Sequence, residues 1–193
     1  MISSFKELKD YLRQDALATS RQSYRPHLLG DYEWKFQYLL RIREYETNCL
    51  KGWKKITMLP IIYYHRWRFG RLRLMCNFTI PLNVFDAGLS IAHAGPIIIS
   101  TSAIVGKNCR IQTGVTIGAT NGSNEAATVG NNVFLGDGCK LIGGIHVADD
   151  VCIGANAVVV KDILEAGTTW AGIPAKKISE NNSHSNLSPR LFT

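Results

Sequence analysis

No apolar run in these 193 residues is long enough to cross a bilayer. The longest, Ile56 to Tyr64, is broken by Pro60 and falls far short of the ~20 residues a spanning helix needs. Met1 to Ser20 carries charge throughout and has no apolar segment of the secretory kind, so a cytoplasmic protein is the expectation. The five cysteines include no Cys-x-x-Cys pair, and in a reducing compartment that argues against both a disulfide scaffold and a zinc cluster. A Gly-rich phosphate loop and a dinucleotide fingerprint are missing too, which excludes phosphate binding through either device. The net charge of +7 comes with no nucleic-acid recognition module, so no nucleic-acid partner is expected.

What the chain has instead is a period of six. Val105, Ile111, Ile117, Val129, Leu135, Leu141, Val147, Ile153 and Val159 share one arithmetic phase, with only the slot at Ser123 unfilled. Four places after each comes a second, smaller slot, held by residues such as Cys109, Val115, Val133, Cys139 and Ala157. Glycine often follows the aliphatic, as at Gly106, Gly118, Gly130, Gly136 and Gly154. A period of six fits no α-helix and is too regular for an ordinary sheet; it predicts stacked coils of a parallel β-helix around an aliphatic column. Extended backwards, the phase makes Ile99 a first slot and Ile97, Ile91 and Phe85 second slots, so the coils run from about Ile80 to about Ile163. It also makes position 93 an aliphatic slot, and the residue there is His93. An imidazole so placed must find hydrogen-bond partners or face a cleft, which makes His93 the first candidate for chemistry.

The hexads, the segment around His93, the stretch Gln112-Thr-Gly-Val-Thr-Ile-Gly118 and the closing Ala171-Gly-Ile-Pro-Ala-Lys176 resemble the serine acetyltransferase group of hexapeptide-repeat acyltransferases, nearest to its short polysaccharide-locus O-acetyltransferase type. The resemblance covers about half of the chain. It implies a mainly β fold, a left-handed parallel β-helix over 80–178 behind a helical region at 1–79, with 179–193 as a disordered tail. It implies further a homotrimer with active sites between subunits and acetyl-CoA as cosubstrate. His93 would then be the general base that takes the proton of an acceptor hydroxyl. The N–H of Gly118 or Ala119 would face the oxyanion. Gly136, Gly138, Gly154, Ala171 and Pro174 would line the path of the cofactor, and Lys176 and Lys177 would meet its phosphates.

The departures from that group bear on the acceptor. Where serine acetyltransferases carry an aspartate just before the histidine, this chain has Ala92; the loop at 121–128 holds neither arginine nor histidine; and the aspartate that partners the histidine would fall near Phe78. A zwitterionic serine would lack compensating charges, so a sugar of a surface polysaccharide or its precursor is the expected acceptor. The alternatives are L-serine and a non-catalytic scaffold. Asp86 and Asn83 are the nearest polar candidates to orient His93. A metal is not expected, since His93 and His146, the only coil histidines, would stand more than ~10 Å apart on the strand spacing, well beyond joint reach of one ion.

The preface predicts helices: Ser4 and Glu7 form a capping box before Phe5, Leu8, Tyr11 and Leu12, a second helix spans Tyr32 to Leu50, and a third stretch, Lys54 to Leu74, kinks or breaks at Pro60. Residues 1–79 carry a net +8 and the remainder −1. Arg66, Arg68, Arg71 and Arg73 beside Tyr63, Tyr64 and Trp67 suggest a contact with an anionic membrane surface, the other reading being arginines solvated on a packed helix. The residues from Gly118 to Thr128 break the rhythm and are expected to protrude.

Overall fold

The computed structural model describes every residue except Leu28 and Asn121. Four helices come first: α1 (Phe5–Ala18), α2 (Tyr32–Cys49), α3 (Gly52–Thr57) and α4 (Leu59–Cys76). Ser4 caps α1 as its sequence predicts, its hydroxyl accepting the Glu7 N–H at 3.2 Å, while the Glu7 carboxylate takes the Ser3 N–H at 2.7 Å. Residues 54–74 form two helices, broken at Met58, with Pro60 in the first turn of α4, where its missing N–H costs no helical bond.

The coils follow as three parallel sheets. One stacks β1 (Phe78–Thr79), β3 (Ile97–Ile99), β6 (Thr116–Gly118), β9 (Lys140–Ile142) and β12 (Val158–Val159). The next holds β4 (Ile104–Val105), β7 (Thr128–Val129) and β10 (His146–Val147). The last runs from β2 (Ser90–Ile91) through β5 (Arg110–Ile111), β8 (Phe134–Leu135) and β11 (Cys152–Ile153) to β13 (Thr169–Ala171), closed by the antiparallel β14 (Lys176–Ser179). This is the expected left-handed parallel β-helix, with every predicted aliphatic slot from Val105 to Val159 buried.

Two irregularities refine the period. Val105 pairs with Val129, twenty-four residues on, whereas Val129 pairs with Val147, eighteen on. One hexad therefore leaves the coil between Gly118 and Thr128, and its described residues Ala119, Thr120 and 122–125 are exposed. Asn121 lies outside the described residues. The first coil is wider than the rest: Ile91 pairs with Ile111 and Phe85 bridges to Val105, both twenty on, while Ile99 pairs with Ile117, eighteen on. Ile91 and Phe85 thus occupy first slots and not the second slots predicted. The two extra residues lie at the corner between Ile91 and Ile97.

A column of side-chain amides along one edge escaped the sequence reading. Asn108, Asn132 and Asp150 all adopt positive φ, the left-handed corner conformation that asparagine tolerates well. Asn108 Nδ2 donates to Asn132 Oδ1 at 2.8 Å and Asn132 Nδ2 to Asp150 Oδ1 at 2.9 Å. Gln14 of α1 closes the top at 2.8 Å, and His184 meets Asp150 at 2.7 Å below. The tail expected to be disordered is folded back on this edge. Ser183, Leu187 and Ser188 are buried, Ser188 Oγ lies 2.9 Å from Ser20 Oγ, and Arg190 donates to the Arg21 carbonyl at 2.8 Å.

The helices share the coil core. Phe36 of α2 stacks on Phe69 of α4 at 5.0 Å and meets Phe78 edge-on at 4.9 Å, which continues the aliphatic column into the helical layer. Gln37, also buried, donates to the Leu89 carbonyl at 2.7 Å and accepts the Ile91 N–H at 2.9 Å. That clamp fixes α2 over β2 and so sets what stands beside His93.

Candidate active site

His93 does not point into the column. The widened corner carries it outward, and the side chain is exposed where the fixed period had placed an inward slot. Its backbone is pinned on both sides: the Ala92 N–H donates to the Ile111 carbonyl at 3.1 Å, the Ala94 N–H to Glu33 Oε1 at 3.0 Å, and the Gly95 N–H to the Cys76 carbonyl at 2.9 Å. Gly95, with φ of +150°, has no room for a Cβ, which would come within 2.9 Å of Thr113 Cγ2. An exposed imidazole on a rigid corner is open to an incoming hydroxyl and keeps its own geometry.

The predicted orienting residues are occupied elsewhere. Asn83 exchanges side-chain amide bonds with Asn48 at 2.8 and 3.2 Å, and its N–H donates to Glu44. Asp86 accepts the Ala87 N–H at 2.7 Å and faces Tyr11. Neither bonds His93, because α1 and α2 pack on that edge of the first coil and take up its polar groups. At the next two coils His93's own corner holds Thr113, whose hydroxyl bonds Asp137.

Beside this corner lies a cleft of about 320 Å³ between the end of α1, the start of α2 and the third sheet. Thr19, Ser20, Arg21, Glu33, Trp34, Gln37, Ser90, Ile91, Ala92 and Arg110 line it. Charges of both signs are therefore present next to Ala92, although the local sequence around His93 has none. Arg21 is already paired with Asp31 through two contacts of 3.1 and 3.2 Å and lies over the Trp34 ring. Arg110 forms no ion pair among the described residues. Sequence reasoning missed Glu33, Trp34 and Arg110 because two of them come from the helical preface, sixty residues before His93. The only local signal was an arginine at an outward strand position whose neighbours in the sheet are Ser90 and Phe134.

The residues expected along the cofactor path fall into two groups. Gly118 has open space, an added Cβ meeting nothing closer than Ile142 Cδ1 at 3.7 Å, and Ala119 is exposed. Lys176 is exposed, forms no ion pair among the described residues, and lies beyond the exposed Pro174. Gly136, Gly138 and Gly154 are glycine for another reason: their Cβ atoms would press on the next coil, 2.7 Å from the Ile153 carbonyl, 2.3 Å from Asn156 Oδ1 and 3.0 Å from Ala171 Cβ. Their identity carries no ligand signal. Ala171 packs against Gly154 in the same contact. Lys177 is ion-paired, with Glu165 at 2.5 Å and Glu180 at 2.6 Å. Among the described residues no group of three metal-ligating side chains occurs, and no helix is long and apolar enough to cross a membrane.

Residues 126–161 match the model for bacterial transferase hexapeptide (six repeats). The serine acetyltransferase of Helicobacter pylori (strain J99) is 42% identical over 96 residues, which is 49% of this chain and 56% of that one. The serine acetyltransferase of Buchnera aphidicola subsp. Schizaphis graminum is 34% identical over 163 residues, 76% of this chain and 62% of its own length. The chain thus spans little more than half the length of these relatives. Among solved structures, the serine acetyltransferase of Brucella abortus strain S19 in complex with coenzyme A superposes with a TM-score of 0.60 at 21% identity, over 92% of this chain and 70% of that chain. At that identity the likeness carries the fold alone.

Proposed function

The chain belongs to the serine acetyltransferase-like group of hexapeptide-repeat acyltransferases, and on that premise we propose that it is an acetyl-CoA-dependent O-acetyltransferase with His93 as general base. The observation that carries this reading is the exposed His93 on its widened, triply pinned corner, next to a charged cleft. Acetyl-CoA supplies the acyl group as a thioester. The open edge at Gly118 and Ala119 and the unpaired cation of Lys176 fit such a ligand. His93 takes the proton of the acceptor hydroxyl, and the amides at Gly118 and Ala119 meet the negative charge that develops at the carbonyl oxygen.

Two acceptors are in play. The names of the relatives favour L-serine over the saccharide that the local sequence put first, and the opposite charges of Glu33 and Arg110 in one cleft support the same choice. The saccharide keeps one observation in its favour, the uncharged Ala92 before His93 together with a loop free of arginine and histidine. Release of CoA thiol, followed with L-serine and with a panel of saccharides, separates them. Replacing His93 by Ala is expected to lower turnover by roughly 10²–10⁴-fold with the true acceptor. Turnover unchanged by that substitution rejects the reading.

The assembly we infer is a homotrimer with the site between subunits, as the group resemblance implies, and sedimentation equilibrium tests it. A peripheral membrane contact of this cytoplasmic enzyme belongs to the same reading. Residues 51–76 carry seven Lys and Arg and no Asp or Glu, with Trp53, Tyr63, Tyr64 and Trp67 exposed among them. A basic, aromatic face of that kind suits anionic lipid.

A further inference from the structure

Helix α4 is apolar on two opposite sides. Phe69, Leu72 and Cys76 face the core, and across the helix from them stand Tyr63, Trp67 and Leu74, each more than half exposed. Helix α3 before it buries none of its residues, and its Trp53 is exposed as well. An exposed apolar face of this length calls for a partner besides the core.

The flanks of that outer stripe identify the partner. On one flank Arg68 donates to the Tyr64 hydroxyl at 3.0 Å, and Arg71 lies over the Trp67 ring at 5.3 Å. On the other, Arg66 and Arg73 stand two turns apart with Gly70 between them. Together with Arg43 of α2 they edge a cavity of about 360 Å³, walled by Phe69, Pro81 and Leu82. Glu46 holds Arg43 at 2.5 Å, whereas Arg66 and Arg73 form no ion pair among the described residues. Arg73 Nε reaches the Phe78 carbonyl at 3.4 Å, which leaves its other N–H groups for a ligand. A Cβ added at Gly70 meets nothing within 4 Å, so glycine there answers no crowding and keeps the cavity open. From Lys51 to Cys76 the chain has no carboxylate to offset these cations.

We propose that the outer face of α3 and α4 lies in the surface of an anionic phospholipid bilayer, the cavity at Gly70 taking a lipid phosphate between Arg66 and Arg73. Aromatic rings on such a face settle at headgroup level, and the flanking guanidiniums meet phosphate oxygens as planar forks. A second copy of the chain is the wrong occupant, because a two-fold contact sets the same cations against one another. A phosphate free in solution fills the cavity but leaves the aromatic stripe uncovered. The inference rests on the membrane contact of the proposed function and deepens it to a named face and phosphate site; it does not depend on acetyl transfer.

The test is co-sedimentation of the whole protein with vesicles of phosphatidylcholine alone and of phosphatidylcholine mixed with phosphatidylglycerol. Binding is expected to the anionic vesicles only and is expected to weaken as salt rises. Arg66→Gln is expected to lower it about fivefold, the usual worth of one cation near a charged surface. Gly70→Gln fills the cavity without altering charge and is expected to act in the same direction, with the unfolding midpoint not lowered in either variant. Bromine on the lipid acyl chains is expected to quench tryptophan emission, and replacing Trp53 and Trp67 by Phe to remove that quenching.

Anionic-vesicle binding that responds to Arg66 and Gly70 upholds the site even if no CoA is released. Binding indifferent to both residues leaves the membrane contact standing and overturns the phosphate site. Equal binding to both kinds of vesicle, or to neither, overturns the inference even if acetyl transfer is observed. Glycerol phosphate bound as tightly as the vesicles assigns the cavity to a soluble phosphate and overturns it as well. A Trp67→Ser variant that splits the assembly in sedimentation velocity gives the face to a second copy, with the same result.

Discussion

Asp15 and Arg41 meet where water does not reach, the Arg41 Nε lying 2.8 Å from Asp15 Oδ2 with both side chains at most 1% exposed. The pair joins α1 to α2 and extends into the coils. Arg41 also bonds Glu44 and the carbonyls of Phe85 and Asp86, and Asp15 Oδ1 accepts the N–H groups of Gly88 and Leu89 at 2.7 and 3.0 Å. Burial opposes the guanidinium's charge, but Asp15 and Glu44 outweigh that effect and keep its pKa above the ordinary arginine value. The helical layer is therefore fastened to the first coil by a satisfied ionic cluster and not by apolar contact alone.

Arg41→Leu is expected to remove about 3–5 kcal/mol of stability, because it leaves two buried carboxylates without their cation. Urea unfolding followed by circular dichroism measures it. A loss under 1 kcal/mol means that the cluster is rebuilt with water and contributes no net fastening.

Acid should loosen the same junction at Asp86. Burial raises the pKa of its carboxyl, yet the Tyr11 hydroxyl and the Ala87 N–H more than compensate and hold it below the ordinary aspartate value. A folded pKa below the unfolded one means stability that is complete above the unfolded value near ~3.9 and is lost as pH falls through the folded value. Tyr11→Phe removes the hydroxyl and is expected to move the acid-unfolding midpoint to higher pH. An unmoved midpoint assigns the Tyr11 contact no part in acid stability.

Glycines of the two groups should respond differently to one methyl. Gly136→Ala forces a Cβ to within 2.8 Å of backbone atoms of the next coil and is expected to cost about 1–3 kcal/mol. Gly118→Ala meets nothing closer than 3.7 Å and should leave the unfolding midpoint unchanged while impairing CoA release, if the thioester passes that edge. Equal stability losses in both variants would remove the distinction.

Burial pushes the Cys109 thiol far up and Cys139 to about 12, with Cys76 at about 11 and Cys152 also raised. At pH 8 none of these four holds an appreciable thiolate. Half-buried Cys49 is expected to react first with Ellman's reagent, and Cys109 and Cys139 only after unfolding. Mass spectrometry of the labelled peptides gives the order, and prompt labelling of Cys109 would mean that the column opens in the native state.

The residues of the chain by themselves determined the coil architecture, because a β-helix writes its core locally: each hexad supplies its own strand and corner, so Val105 to Val159 could be read as one buried column. Ser4 and Pro60 marked helix boundaries for the same local reason. Tertiary structure alone decided where His93 points, since a two-residue widening at one corner leaves the six-fold phase looking intact while turning the ring from the core to the surface. It alone decided the charged cleft beside His93, where Glu33, Trp34 and Arg110 meet across more than sixty residues once Gln37 clamps α2 onto β2. Contacts of that range depend on how layers pack, and no spacing within a strand or a helix encodes them.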